Sequence, residues 1–113
     1  GVENVPLDRP CLFVGNHAIL GFDMPLLVHF LFKEKGLFVR GLADRLHFNL
    51  PGWGQLLSWV GAVIGSREIC QMLMDTKQHV LVYPGGAREV LKKKNEDKYE
   101  LKWEGRLGFA LMA

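Results

Sequence analysis

Short apolar runs alternate with longer stretches of helical spacing along this chain, and glycine or proline follows most of the runs. Four of the runs predict short strands, at residues 11–16, 37–40, 62–64 and 79–83. The last of them reads H-V-L-V-Y before a proline and is the clearest buried strand. Because helical patterns separate the strands, the chain predicts an α/β fold, a mostly parallel sheet with helices on both faces.

Three stretches have helical spacing, at residues 23–35, 53–61 and 68–77. The first begins at Asp23, which can cap free N–H groups, and Pro25 suits its first turn. Gly36 marks its end. Its apolar side chains lie almost all round the helix, which predicts burial on most sides or contact with a bilayer surface. No apolar run approaches the ~20 residues that a membrane-spanning helix requires.

The remaining stretches have weaker patterns. Residues 1–10 predict a loop, 41–49 are ambiguous, 87–94 form a charged segment, 99–103 predict a strand, and 105–113 predict a last helix. With 113 residues, 49% hydrophobic and 23% charged, the chain is globular in composition and has room for one small domain. It begins without methionine and stops within the predicted last helix, so we expect one partial domain over 1–113, incomplete at both ends.

Charge and metal-binding residues narrow the classes of function. The net charge of +2 is too small to indicate a nucleic-acid partner. The lysines at 92–94 precede two acidic residues, which favours a solvated face, with contact to anionic head groups as the alternative. Cys11 and Cys70 form no paired motif and are expected to be buried thiols in a reducing compartment. The four histidines lack metal-ligand spacing, so no metal is expected.

One stretch carries the clearest candidate chemistry, L-F-V-G-N-H-A-I-L-G-F-D at residues 12–23. A predicted strand runs into a Gly-Asn turn that presents His17, and Asp23 follows six positions later. Imidazole takes up a proton near neutral pH, and a carboxylate that folds back onto the ring holds its tautomer. The pair predicts a general-base dyad, although Asp23 also suits the plain role of a helix cap.

The scarcity of nucleophiles decides between reaction types. The chain has two serines, Ser58 and Ser66, and one threonine, and neither serine lies in G-x-S-x-G. Cys11 lies inside a predicted strand, where an inert buried thiol is the simpler interpretation. We therefore expect His17 to activate a hydroxyl group that belongs to a bound substrate, which indicates direct group transfer.

A second glycine turn follows the strand predicted at 79–83. Gly85 and Gly86 are small residues that let backbone N–H groups approach a ligand closely. If a helix follows, Arg88 lies at its positive end, which is tolerable if an anion or Glu89 compensates the like charge. The alternative is a plain turn with a surface arginine.

A third turn repeats this pattern. The sequence Gly-Ser-Arg ends the strand predicted at 62–64 and brings Arg67 into the first turn of a helix. In a parallel sheet the loops after successive strands meet along one edge, where open α/β sheets bind ligands. We therefore expect Arg67, the His17 turn and the Gly85-Gly86 turn to share one edge.

The motifs N-H-A-I-L-G-F-D, G-S-R and Y-P-G-G-A-R-E resemble, in this order, those of the lysophospholipid (PlsC-like) superfamily of glycerolipid acyltransferases. The likeness covers residues 11–113 and is strongest to the diacylglycerol-acyltransferase branch with the phytyl ester synthases and transmembrane protein 68. It implies that His17 deprotonates the acceptor hydroxyl, that Asp23 orients His17, and that the hydroxyl attacks an acyl thioester directly. It also implies that Arg67 and Arg88 act as an anion-binding pair for donor or acceptor phosphates, and that the substrate-binding residues include Gly85 and Gly86.

Two departures from the family pattern bear on the dyad and the acceptor. Five residues separate His17 from Asp23, where four are commoner, so the turn has to absorb one residue, expected at Gly21. Gly85 stands where the family's P-E-G-T-R motif has glutamate, and loss of that carboxylate argues against a phosphorylated acceptor. The resemblance thus implies a diacylglycerol, a monoacylglycerol or a long-chain alcohol as acceptor.

The resemblance implies a monotopic O-acyltransferase with acyl-CoA as co-substrate, a neutral lipid acceptor and no bound cofactor. The apolar helix at 24–32 and the tryptophan-bearing region at 56–65 are expected to face the lipid. The implied location is a membrane surface, at the endoplasmic reticulum or, in a photosynthetic source, the plastid.

Other interpretations stay open at this point. The acceptor could be a phosphorylated glycerolipid, or water as in a thioesterase or lipase, and the donor could be acyl carrier protein instead of CoA. A lipid-binding domain that kept the fold without catalysis is a further alternative. The distance between the His17 and Asp23 side chains separates this last interpretation from the catalytic ones.

Overall fold

The computed structural model describes residues 1–18, 22–91, 93 and 100–113. Four short strands form one parallel sheet in the order β1-β4-β2-β3. The strands are β1 (Leu12–Val14), β2 (Val39–Ala43), β3 (Val63–Ile64) and β4 (His79–Val82). The prediction of an α/β fold with a parallel sheet is confirmed. The last strand in the chain occupies a central position, which agrees with its continuous run of β-forming residues.

Helices connect the strands, as parallel pairing requires. Those within the described residues are α1 (Asp23–Lys35), α2 (Arg45–Phe48), α3 (Trp53–Trp59), α4 (Arg67–Asp75) and α5 (Ala87–Val90). Short 3-10 helices lie at Val2–Asn4 and Gly108–Leu111.

Adjacent residues of β4 point to opposite faces of the sheet and meet different helices. Leu81 packs with Val28 and Leu31 of α1, whereas Val80 packs with Cys70 and Leu73 of α4. All of them are buried. Helices therefore cover both faces of the sheet, as the alternation of the sequence predicted.

Helix α1 has the bounds that its sequence predicted. Gly36 ends it in the left-handed conformation, φ 68°, with its N–H donated to the Phe32 carbonyl at 2.8 Å. The predicted capping role of Asp23 is wrong, because Phe22 is the N-cap residue and the cap makes no side-chain hydrogen bond. Asp23 is instead the first helical residue, and its carboxylate is free to contact another segment.

Three predicted elements differ from the structure. Strand β2 begins later than expected and continues to Ala43, because Leu42 and Ala43 pair with β3. The strand predicted over 99–103 is absent from its described part, 100–103, and residue 99 lies outside the described residues. The last predicted helix is reduced to a short 3-10 turn. The charged segment 87–94 forms one helical turn, α5, and Lys92 and Lys94 lie outside the described residues.

The two thiols have different surroundings. Cys70 is fully buried against the sheet, as predicted, and burial raises the pKa of its thiol. Cys11 is only partly buried and lies just before β1 rather than inside it. Both are free cysteines.

Large apolar side chains remain exposed on α1 and α3. They are Leu26, Phe30 and Phe32 on α1 and Trp53, Leu56 and Trp59 on α3. Trp59 is 74% exposed. Among the described residues, no helix has both the length and the apolar character needed to cross a bilayer.

Candidate active site

The three turns that the sequence singled out emerge at the same edge of the sheet. Strands β1, β3 and β4 run parallel, so the residues after them emerge at the same end. The pairing of β1 with β4 extends one step further, because the Gly15 N–H donates to the Val82 carbonyl at 3.2 Å. This bond brings the turn that carries His17 beside the residues that follow β4.

His17 and Asp23 form a hydrogen-bonded pair at this edge. The distance from His17 Nδ1 to Asp23 Oδ1 is 3.1 Å, and the two side chains are 19% and 26% exposed. The five-residue spacing therefore permits contact between the two side chains. Gly21, where we expected the extra residue to be absorbed, lies outside the described residues.

The pairing leaves one imidazole nitrogen available. An ionised carboxylate only accepts hydrogen bonds, so Nδ1 of a neutral His17 donates to Asp23 and Nε2 carries the lone pair. Within the described part of the chain, Nε2 has no hydrogen-bond partner. Nε2 is thus free to accept a proton from a ligand at the sheet edge.

Tyr83 supports the imidazole ring from its face. The two rings are stacked, with their centroids 4.1 Å apart and their planes 14° apart. Burial raises the pKa of the Tyr83 phenol, and the neighbouring Asp23 carboxylate raises this pKa further. The phenol therefore stays protonated. No local pattern in the sequence indicates this role for Tyr83, but the register Val14↔Val82 places it next to the His17 turn.

The turn after β4 uses its own backbone donors. Gly86, at φ 52°, donates its N–H to the Tyr83 carbonyl at 3.0 Å. The N–H groups of Arg88 and Glu89 donate to the Gly85 and Gly86 carbonyls at 3.3 and 3.1 Å. These three N–H groups are occupied within the turn, so of the two glycine N–H groups expected to approach a ligand, that of Gly86 already has a partner. A role for Gly85 and Gly86 in binding stays a prediction.

Arg88 has a different partner from the one expected. Its Nη1 lies 3.5 Å from Oε2 of Glu104, and both side chains are exposed. Of the two compensating groups that the sequence left open, the Glu89 carboxylate accepts the His17 and Trp103 N–H groups instead, and compensation by an anion stays a prediction. An open cavity of about 470 Å³ lies beside Arg88, and its lining includes two lysines, Lys93 and Lys102, and two glutamates, Glu100 and Glu104.

Arg67 follows β3, at the opposite end of the strand order from β1. It is exposed, it begins α4, and its guanidinium lies close to Gly108, where an added Cβ would come within 3.2 Å. Arg67 and Arg88 thus have different neighbours, and their action as an anion-binding pair stays a prediction. Ser66 caps α4 by accepting the Ile69 N–H at 3.1 Å.

Glu89 is the site residue whose position the sequence did not indicate. Its side chain is 2% exposed, and its Oε2 accepts the main-chain N–H of His17 at 2.7 Å. A charged segment after a glycine turn predicts a solvated face, and only the packed structure turns this carboxylate inward.

The three other histidines lie away from the His17–Asp23 pair. His29 and His47 are exposed, and His79 Nδ1 accepts the Cys11 N–H at 3.3 Å. Among the described residues, no three side chains of His, Cys, Asp or Glu lie close enough to hold a metal ion.

A parallel α/β sheet whose edge presents a hydrogen-bonded carboxylate–imidazole pair is suited to general acid–base chemistry on a ligand bound there. The sequence matches the family described as Acyltransferase over residues 1–113, and the chain belongs to that family. The resemblance that the motifs indicated is confirmed.

Several relatives are similar over almost the whole chain. The human protein named "DGAT1/2-independent enzyme synthesizing storage lipids" is 33% identical over 113 residues, which are 100% of this chain and 34% of the relative. The Bos taurus protein of that name is 32% identical over 113 residues, which are 100% of this chain and 33% of the relative. "Phytyl ester synthase 2, chloroplastic" of Arabidopsis thaliana is 37% identical over 119 residues, 99% of this chain and 17% of the relative. The chain thus spans about a third or less of the length of these relatives. No solved structure matches it.

Proposed function

We propose that the chain carries the catalytic site of an O-acyltransferase that moves a fatty acyl group from an acyl-CoA thioester to the hydroxyl of a neutral lipid. The observation that supports this most directly is the 3.1 Å contact between His17 Nδ1 and Asp23, with Nε2 left open at the sheet edge. The shortage of other nucleophiles agrees with it, because both serine side chains hydrogen-bond within helices α3 and α4.

The reaction needs one base and no covalent enzyme intermediate. His17 Nε2 takes the proton of the acceptor hydroxyl. At the same time, the oxygen of that hydroxyl attacks the carbonyl carbon of the thioester. The new C–O bond forms, the C–S bond breaks, and the imidazolium returns its proton to the departing thiolate. Asp23 stabilises the imidazolium that forms in between, and Tyr83 holds the ring plane.

A neutral acceptor is favoured by the relatives and by the surroundings of the dyad. The names of the relatives refer to storage lipids and phytyl esters. An apolar cavity of about 210 Å³ begins at Met24 and Pro25, directly after Asp23, and includes Phe32 and Phe38. Its volume is below the roughly 300–1,000 Å³ of complete small-molecule sites, so it accommodates part of a lipid chain.

The exposed apolar side chains of α1 and α3 form the lipid-facing surface in this proposal. Aromatic side chains, tryptophan above all, favour the boundary between water and hydrocarbon. The protein then works at a membrane surface, of the endoplasmic reticulum or of the plastid, and the plant relatives are named chloroplastic.

The test is an assay of the intact purified protein with labelled acyl-CoA and a panel of acceptors, with products identified by mass spectrometry. Transfer to diacylglycerol, monoacylglycerol or a long-chain alcohol is the expected result. Transfer only to a phosphorylated glycerolipid would refute the neutral acceptor, and release of free fatty acid alone would indicate a hydrolase. Absence of all three products would favour the non-catalytic interpretation.

Arg88→Ala is expected to raise KM for acyl-CoA by about tenfold and to leave kcat within about twofold. A charge-assisted hydrogen bond to a phosphate is worth about 1.5–3 kcal/mol, and the exposure of Arg88 places its contribution at the lower end. Steady-state kinetics with acyl-CoA as the varied substrate measure the change. Arg45→Ala, an exposed arginine on α2, is the matched control. An unchanged KM would remove Arg88 from the binding site.

A further inference from the structure

The buried carboxylate of Glu89 joins three separate segments of the chain. Its Oε2 accepts the main-chain N–H of His17 at 2.7 Å. Its Oε1 accepts the indole N–H of Trp103 at 3.1 Å and the main-chain N–H of Lys102 at 3.4 Å. The side chain thus connects α5, the turn after β1 and the segment that precedes the last 3-10 helix.

This burial is costly unless the carboxylate is fully hydrogen-bonded. The bond to His17 has the short length expected of a charge-assisted hydrogen bond, about 2.7–2.9 Å. Trp103 is held in turn by Phe109, at 5.4 Å in an edge-to-face arrangement. The position of Glu89 is therefore determined by contacts on both sides, and the position of the His17 backbone is determined with it.

Gly85 is part of the same unit. An ideal Cβ built at residue 85 would overlap the Glu89 carboxylate, so only glycine leaves room for that carboxylate. Gly85 is not among the glycines with positive φ, so its backbone conformation is one that other residues also adopt. Glycine is required at this position only because the Glu89 side chain occupies the space of a Cβ.

We infer that Glu89 is a positioning residue for acyl transfer, which holds the main chain of His17 so that Nε2 faces the acceptor hydroxyl. The inference rests on the proposed function, since it acts through His17. Asp23 determines which ring nitrogen is free, Tyr83 restrains the ring face, and Glu89 restrains the backbone from which the ring extends. A displacement of a reacting group by about 1 Å is enough to lower a rate by about 100-fold.

The first test is Glu89→Gln in the intact protein. The amide has one acceptor oxygen, so either His17 or Trp103 meets an NH₂ group instead of an acceptor. We expect kcat to fall about 10- to 100-fold while KM for both substrates stays within about twofold. Glu34→Gln, the same change on an exposed side chain of α1, is the matched control and is expected to keep full activity.

A rescue experiment separates positioning from general stability. In the double variant Gly85→Asp/Glu89→Ala, the new carboxylate extends from the position that overlaps the Glu89 side chain. Its kcat is expected to be about tenfold higher than that of Glu89→Ala alone. The neutral control Gly85→Asn/Glu89→Ala is expected to show no such increase. Equal activity of the two double variants, whether both recover or neither does, would overturn the inference, because the carboxylate would then make no difference.

A measurement on the unaltered protein covers the case in which the variants fail to fold. With ¹⁵N-labelled histidine, the main-chain amide proton of His17, assigned by its loss in His17→Ala, is expected strongly downfield because of the short bond to a carboxylate. An ordinary amide shift would overturn the inference. If Glu89→Gln keeps full kcat while His17→Ala is inactive, the positioning role fails and the proposed function stands. If His17→Ala is active, the proposed function itself fails.

Discussion

His17→Ala is expected to lower kcat for acyl transfer by about 10³-fold in the intact protein. General-base catalysis by a positioned side chain contributes about 10²–10⁴-fold, and the described part of the chain offers no second imidazole at this edge. The substitution leaves substrate contacts elsewhere, so KM for acyl-CoA is expected to change by less than about threefold. Single-turnover kinetics with labelled acyl-CoA measure the chemical step directly.

The fold is expected to survive this change. His17 loses one hydrogen bond and a stacking contact with Tyr83, which together are worth about 1–2 kcal/mol at a partly exposed position. His47→Ala, an exposed imidazole on α2, is the matched control and is expected to keep full activity. Acyl transfer by His17→Ala at an undiminished rate would exclude the general-base mechanism.

Asp23→Asn is expected to lower kcat by about 100-fold with little change in KM. An ion pair about 4 Å apart contributes about 4 kcal/mol at an effective dielectric constant of 20, and partial exposure of both groups reduces this. A 100-fold loss corresponds to about 2.7 kcal/mol of transition-state stabilisation. The asparagine has a single acceptor oxygen, and if its NH₂ group faces His17 Nδ1 instead, the ring loses the acceptor that holds its tautomer.

The matched control is Asp75→Asn, the same change at an exposed carboxylate on α4. The same kinetics on this control show whether the loss of kcat is specific to position 23. A purely structural role for Asp23 would lower the melting temperature and the amount of active protein without lowering kcat per active molecule. A wild-type kcat in folded Asp23→Asn would therefore show that the imidazolium needs no carboxylate partner.

The regular elements were predictable where local chemistry decides them. Helix α1 follows from its apolar spacing, Pro25 in the first turn and Gly36 at the end, and β4 follows from continuous β-forming residues. The alternation of strands and helices was enough for a parallel sheet. The strand predicted from the apolar residues of segment 100–103 does not form. Trp103 packs beside Glu89 and Phe109, and the segment does not pair with the sheet.

The candidate site was predictable only in part. His17 and Asp23 are close in the chain and fall into a motif, so their contact could be anticipated. Glu89 is 72 residues from His17, and a charged residue after a glycine turn has no local property that predicts burial. The ion pair of Arg88 with Glu104 likewise depends on how the last segment folds back.

The sequence by itself determined the family, the order of the four paired strands along the chain and the identity of the residue pair that follows β1. These depend on local spacing, turn chemistry and short motifs, which act over a few residues. Only the tertiary structure decided that Tyr83 stacks on His17, that Glu89 holds its main chain, and that Gly85 leaves the space for it. These contacts depend on which segments the sheet brings together, and a single sequence carries no local signal for that pairing.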